Sequence, residues 1–427
     1  MKPRQLVFDL LQRLEKNEQF SNIILDRALS ESDMSPEDKR LASALFYGVT
    51  ERRLTLDYQI SSLSSRSLEE LDLPTLTALR MGLYQLIYMD KIPPHAAINE
   101  SVELVKKKAS GFVNAILRSY TRSPKLKLPS KDDFAEYLSV KYSVCRPLIE
   151  RFIKDFGDVE TEAILSGFHA ENFTTLSVNT LKISKDELAA QIDGAKPALY
   201  SPRGLHVSGS IRNLYGYDDG LFFVQDEASQ ICVEALDARP GETVMDICSC
   251  PGSKSFGAAI SMNNTGNIYA FDLHEKKLPL IVSGAQRLGI TVIEAAKCDG
   301  RTFLPEFEGR ADRVLCDVPC SGFGVLTKKP ELRYKDPAVS AALPDIQLAI
   351  LENACRYVKS GGTLVYSTCT VFPDENIGNV NRFLERHGEF TLVPFSVGEL
   401  NFDKGYAALF PHIHGTDGFF VAKMIKR

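Results

Sequence analysis

The 427-residue chain is 44% apolar and 25% charged, with a net charge of −5 and nine cysteines. This is the composition of globular domains, two to four at this length, and it excludes disordered, collagenous and disulfide-scaffold chains. No run of about twenty apolar residues offers a bilayer span, and the amphipathic start MKPRQLVFDLLQRLEK, interrupted by Asp9 and Glu15, lacks the apolar core of a secretory signal. A cytoplasmic location with reduced thiols and no membrane partner is expected.

Residues 1–120 read as helices. Apolar positions recur at three and four: Leu6, Leu10, Leu14; then Leu41, Leu45, Val49; then Leu76, Leu79, Leu83, Leu86. Ser35-Pro36-Glu37-Asp38 offers an N-cap followed by proline, and Ile92-Pro93-Pro94 separates a helix that begins near His95. TRSPKLKLPS (121–130) is the best linker. Beyond it Thr174–Thr180 alternates like a strand, and Ser184–Ile192 opens on a capping residue and reads as a helix. The expected division is an all-α bundle over 1–125, a small α+β module over 126–215 and an α/β domain over 216–427.

Charge is unevenly spread. Residues 1–130 hold 19 Lys/Arg against 16 Asp/Glu, and the remainder holds 31 against 39. Within 101–130 the balance is seven basic to one acidic, with Lys106, Lys107, Lys108 and Arg118 in the run. A solvated helix face is the ordinary reading; a phosphate-contacting patch is the sharper one.

From about 216 strands alternate with helix-length stretches, which argues for a parallel sheet covered on both faces. The candidate strands are Thr243–Ile247, Asn267–Phe271, Thr291–Ala295, Arg313–Cys316 and Thr363–Tyr366. Such sheets bind ligands beyond the carboxyl ends of their strands. Four carboxylates fall there: Asp246, Asp272, Asp299 and Asp317. The first strand runs into Cys248-Ser249-Cys250-Pro251-Gly252-Ser253-Lys254. This loop is neither G-x-G-x-x-G nor a G-K-[ST] phosphate cradle, so a nucleoside without phosphates suits it better. S-adenosylmethionine is such a nucleoside, its cationic groups matched by carboxylates. Asp272 is placed for the ribose hydroxyls and Asp299 for an adenine amine, while Lys254 could reach the ligand's carboxylate or support Asp272. The CxC has no second ligand pair, so no metal is expected.

Two cysteines stand at strand mouths: Cys320 in VLCDVPCSGFG and Cys369 in LVYSTCTVFPDEN. A cysteine so placed can act as a nucleophile; the residues alone leave open which of the two does so.

DICSCPGSKS, AFDLHEKKL, KCDGR, DVPCSGFG and LVYSTCTVFPDEN, in this order, resemble the RsmB/NOP family of RNA 5-methylcytosine methyltransferases. FFVQDEASQ and DGFFVAKMIK match flanking segments of those enzymes. KIPPHAAINESVELVKK and GFVNAILRSY are similar to the NusB-like RNA-binding domain of the bacterial RsmB (Sun) branch. The resemblance implies a Rossmann-like class I methyltransferase domain behind a NusB-like bundle, with S-adenosylmethionine held by 248–254, Asp272, Asp299 and Asp317. It implies Cys369 as nucleophile, Cys320 in product release, Asp317 against cytosine N3, and 16S ribosomal RNA as partner of a monomer. It also implies RNA contact by the basic stretch 326–335, with Lys328, Lys329 and Arg333. Ser253 departs from the family's usual second glycine, which puts cofactor affinity in question if that position needs φ > 0. The rival readings are an RNA-binding protein with an inactive methyltransferase domain, a cytosine-C5 methyltransferase for another RNA, and a small-molecule methyltransferase.

Overall fold

The computed structural model describes residues 2–16, 21–169, 173–208 and 211–427. No helix among them is long and apolar enough to cross a membrane. The chain divides into two compact units, Met1–Ser166 with Leu326–Pro337, and Gly167–Val325 with Ala338–Arg427.

The first unit is helical: α1 (Pro3–Lys16), α2 (Ser21–Ser30), α3 (Pro36–Glu51), α4 (Arg53–Leu63), α5 (Leu73–Tyr88), α6 (Pro94–Glu103), α7 (Lys107–Arg122), α8 (Phe134–Tyr142), α9 (Arg146–Phe156) and, at its boundary, α10 (Asp158–Gly167). Its core contains the periodic residues Leu6, Leu10, Leu45, Val49, Leu79 and Leu83, all buried. Ser35 caps α3 by accepting the Asp38 N–H at 3.2 Å, and Asp72 caps α5 through Thr75 at 3.0 Å. Arg80 lies in this core; two parallel bonds to Asp57 (2.7 and 2.8 Å) and one to Glu15 (2.7 Å) satisfy its guanidinium.

Two features depart from the expected division. The unit does not end near residue 125. The Gln59 side chain pairs with the backbone of Lys127 (2.8 and 2.9 Å), Thr55 Oγ1 donates to Val140 O (2.6 Å), and Leu54 N donates to Ser143 Oγ (2.9 Å). These bonds join the linker and α8 to α4, so 126–166 belongs with the helices. The second departure is the segment Leu326–Pro337. Ser21 Oγ donates to Glu331 (2.6 Å), Arg333 Nη1 to Tyr142 O (3.1 Å), and Cys145 N to Arg333 O (2.7 Å). The Tyr334 hydroxyl bonds Thr50 O and Ser143 Oγ, and Arg53 stacks 3.8 Å above its ring.

The second unit holds two main sheets. β1 (Thr174–Val178), β2 (Lys196–Pro197), β3 (Gly204–Val207) and β4 (Phe222–Val224) form an antiparallel sheet in the order β2-β3-β1-β4. Helix α11 (Lys185–Gln191) follows β1 and starts on a capping box of Ser184 and Glu187. This sheet is tied to the neighbouring helices by buried polar groups. Asn179 donates to Gly220 O and Leu288 O (2.9 Å each), and Glu227 accepts the N–H groups of Leu199, Tyr200 and Ser201.

The large sheet contains β5 (Thr243–Asp246), β6 (Asn267–Asp272), β7 (Ile293–Lys297), β8 (Ala311–Asp317), β9 (Val358–Thr368), β10 (Phe390–Leu392), β13 (Tyr406–Leu409) and β14 (Phe419–Lys426); β11 (Phe395–Val397) and β12 (Leu400–Phe402) pair separately. The order is β10-β14-β9-β8-β5-β6-β7, with β13 also on β14. Strands β5 to β9 are parallel, and β14 is antiparallel to β9. The connecting helices are α12 (Glu227–Leu236), ahead of β5, then α13 (Ser253–Ser261), α14 (Leu278–Leu288), α15 (Leu343–Ala354) and α16 (Ile377–Arg386). From β5 the chain builds outward first through β6 and β7, then on the other side through β8 and β9. That reversal opens a crevice at the carboxyl ends of β5 and β8.

Candidate active site

The loop after β5 turns tightly into α13. Ser249 N donates to Phe271 O and Gly252 N to Ser249 O, both at 2.7 Å. Cys250–Pro251 is cis, and Gly252 sits at φ 106°. Only glycine adopts that angle cheaply, and a Cβ there would also come 2.7 Å from the Phe256 ring. Ser253 is the first residue of α13 and is not among the positive-φ positions. The strain expected of a serine in this loop is therefore absent, because the left-handed residue is its predecessor.

Asp272 ends β6. Its two oxygens accept the N–H groups of Cys250 (3.2 Å) and His274 (2.9 Å). These bonds fix the carboxylate and leave lone pairs for ribose hydroxyls. Asp299 follows β7, and Arg301 donates to both its oxygens (3.0 and 2.6 Å), which, as at Asp272, orients the carboxylate and leaves acceptor capacity. Asp246 is buried beneath the loop, accepts from Ser255 Oγ (2.6 Å), and is pushed up to about 6 by burial. Burial also raises the Cys248 thiol well above its ordinary range and Cys250 to about 11, so both are protonated at neutral pH. Carboxylates end β5, β6 and β8 beside a loop that forms no phosphate cradle, a set of groups that fits a cationic nucleoside.

Lys254 departs from expectation. It points to neither Asp272 nor the solvent; its Nζ stands 2.6 Å from Asp317 at the end of β8. Burial works against its charge, but the Asp317 carboxylate outweighs this and raises the ammonium above its usual range. Ser367 Oγ holds the other Asp317 oxygen at 2.8 Å. Nothing local in the sequence marks Ser367, which faces Asp317 only through the β8–β9 register.

That register also explains the cysteines. Cys320 lies three residues past β8 and Cys369 one past β9, and these strands are parallel neighbours. The sulfurs are 3.0 Å apart, and the Cys369 N–H donates to Cys320 Sγ at 3.2 Å. Both are half-buried. The bond from Cys369, then burial, raises the Cys320 thiol well above its ordinary range.

The residues expected to meet RNA divide. Lys106, Lys107 and Lys108 are exposed at the start of α7, whose first turn has no acidic residue, and Arg118 is exposed farther along it. Lys328 and Lys329 are half-buried. Arg333 is 0% exposed. It packs inside the helical unit, bonded to the Tyr142 carbonyl, so the expectation of RNA contact fails for it.

A parallel sheet with a reversal at β5, acidic strand ends and a nucleoside crevice defines a class: S-adenosylmethionine-dependent methyltransferases. Residues 233–425 match the family described as 16S rRNA methyltransferase RsmB/F, and residues 1–122 match the NusB family. The chain is 36% identical to a Synechocystis sp. protein named probable ribosomal RNA small subunit methyltransferase B, with 99% of each covered. It is 35% identical to the Bacillus subtilis protein of the same name, over 99% of this chain and 98% of that one. The crystal structure of PH0851 superposes with a TM-score of 0.82 at 28% identity, covering 100% of this chain and 99% of that one. The chain belongs to the RsmB/F family of methyltransferases and is an S-adenosylmethionine-dependent RNA methyltransferase.

Proposed function

We propose that this enzyme methylates C5 of one cytosine in small-subunit (16S) ribosomal RNA through a covalent adduct at C6. The observation that carries the reading is the 3.0 Å pair of thiols beside the Lys254–Asp317 ion pair. S-adenosylmethionine supplies an electrophilic methyl group; Asp272 and the 248–254 loop would hold it.

Cys369 adds to C6 as a thiolate, since the thiol itself is unreactive. Cys320, kept protonated, donates its S–H to that sulfur and stabilises the negative charge. Asp317 faces N3, which takes a proton from water as the C6–S bond forms; the carboxylate, its charge balanced by Lys254, then accepts the N3–H hydrogen bond. The electron pair displaced to C5 would take the methyl group, the sulfonium sulfur keeping the electrons of the broken S–C bond and leaving as a neutral thioether. Once Cys369 is bonded to carbon, its charge no longer opposes ionisation of Cys320, which gives its proton to water and then, as thiolate, removes the C5 proton. C5=C6 reforms as the C6–S bond breaks, N3 returns its proton, and Cys369 leaves as thiolate. The base must leave its stack to meet the sulfurs, so an unpaired or loop nucleotide is the substrate. The lysines at the start of α7 supply backbone affinity, positive charge being added to a positive helix end.

Methyl transfer from labelled cofactor to total RNA from cells lacking the enzyme tests this. Label at a single cytosine C5 of small-subunit RNA is expected. Label in transfer RNA, on another base or at another cytosine atom would overturn the assignment.

A further inference from the structure

The residues that follow the two cysteines meet each other. Ser321 Oγ and Thr370 Oγ1 lie 3.0 Å apart. Beside them Glu375, only 3% exposed, accepts the Ser321 N–H (2.9 Å), the Ser321 hydroxyl and Gln347 Nε2 (2.8 Å). Gln347 Nε2 also donates to Pro319 O at 3.0 Å, so the Pro-Cys-Ser stretch is gripped on both sides of Cys320. The other loop is gripped from the same place. Asn376, next to Glu375, donates to Thr370 O (3.0 Å), and Gly324 N donates to Cys369 O (3.0 Å). A buried carboxylate is costly unless its oxygens are bonded. Here those bonds converge on the stretch that carries Cys320.

We propose that Glu375 is a positioning residue for methyl transfer, tying the two cysteine loops together so that both sulfurs address one base. The inference rests on the reading above that these thiols are the reacting pair. The Glu375 charge also contributes to keeping Cys320 protonated. A variant that keeps the bonds and loses the charge separates the two roles. In Glu375→Gln the amide oxygen can still accept from Ser321 N and Gln347, and the amide N–H can donate to Ser321 Oγ. Glu375→Ala removes all three.

The test uses the full chain without RNA or cofactor. Diamide takes one hydrogen from each thiol, becoming the hydrazine, while the sulfurs join as a disulfide; peptide mapping follows the Cys320–Cys369 product. Wild type and Glu375→Gln are expected to close at rates within about threefold, and Glu375→Ala at least about tenfold more slowly, the scale of a misplaced reacting group. In turnover, Glu375→Ala should lower kcat at least about tenfold, with RNA KM and cofactor Kd within about twofold. Wild-type closure by Glu375→Ala, or a change confined to KM, would overturn the inference. Should Glu375→Ala fail to fold, Ser321→Ala removes the shared hydroxyl, and an unchanged closure rate there has the same force. Closure reads the tie directly. If Cys369→Ser still transferred methyl, the functional reading would fall while the closure result stood.

Discussion

Lys254 and Asp317 form an ion pair 2.6 Å long between the first turn of α13 and the end of β8, linking the cofactor loop to the strand that leads to Cys320. Lys254→Met leaves Asp317 without its cation beside buried Asp246. Methyl transfer should fall about a hundredfold or more, and unfolding free energy by roughly 2–3 kcal/mol, less than for a wholly buried pair because Asp317 keeps some water contact. Denaturant titration and single-turnover assays read the two effects.

The cysteines are expected to separate by product. Cys320→Ser should accumulate a covalent enzyme–RNA adduct, because methylation proceeds without efficient release. Cys369→Ser should be inactive and form none. A denaturing gel with target RNA shows both, and adduct from Cys369→Ser would exchange the two roles.

In the cofactor loop the conformational demand lies at Gly252, at φ 106°, and not at Ser253. Gly252→Ala is expected to weaken S-adenosylmethionine binding about tenfold, through strain and displacement of the Phe256 ring. Ser253→Gly should stay within about twofold. Calorimetry on the two variants decides.

Asp246 gives the enzyme an acid-side signature. Burial raises it to about 6 in the folded protein, against about 4 unfolded. The folded state therefore keeps a proton that the unfolded chain releases between about pH 4 and 6. Its contribution is fully present below about pH 4, is lost as pH rises through about 6, and totals at most ~3 kcal/mol. Asp246→Asn should flatten that part of the stability profile, measured by urea unfolding at steps between about pH 4 and 7.

Arg333 and the α7 lysines should respond differently to salt. Arg333→Ala is expected to destabilise the helical unit by ~3 kcal/mol and to leave the salt dependence of RNA binding unchanged. Replacing Lys107 and Lys108 by alanine should lower the log–log salt slope by about 1 to 2 while leaving the melting temperature alone. Filter binding across a salt series separates them.

Much of the sheet is legible in the sequence because short apolar runs between helical stretches have few other uses. Thr243–Ile247 and Asn267–Phe271 correspond to β5 and β6 within a residue. β9 is longer than its apolar run: VKSGG resembles a turn, yet Val358 already pairs with Ala311 across an irregular register. Arg333 misleads because a basic residue in a basic run looks solvated; its partner, the Tyr142 carbonyl, is 191 positions away. Lys254 misleads for a similar reason. Several acids lie near the loop, and only strand order decides that β8 stands beside β5. Glu375 carries no local signal of its role, since its meaning is the pairing of two loops.

The Leu326–Pro337 clasp has a consequence for synthesis. Helices α1 to α9 have all been synthesised by residue 166, yet the unit they form still lacks the length of chain carrying Arg333 and Tyr334. At about 5–20 residues per second the ribosome needs roughly ten to thirty seconds more to deliver it. During that interval the backbone groups of Thr50, Tyr142 and Cys145 lack the partners that this segment supplies. A chain cut short before residue 326 would remain in that state permanently.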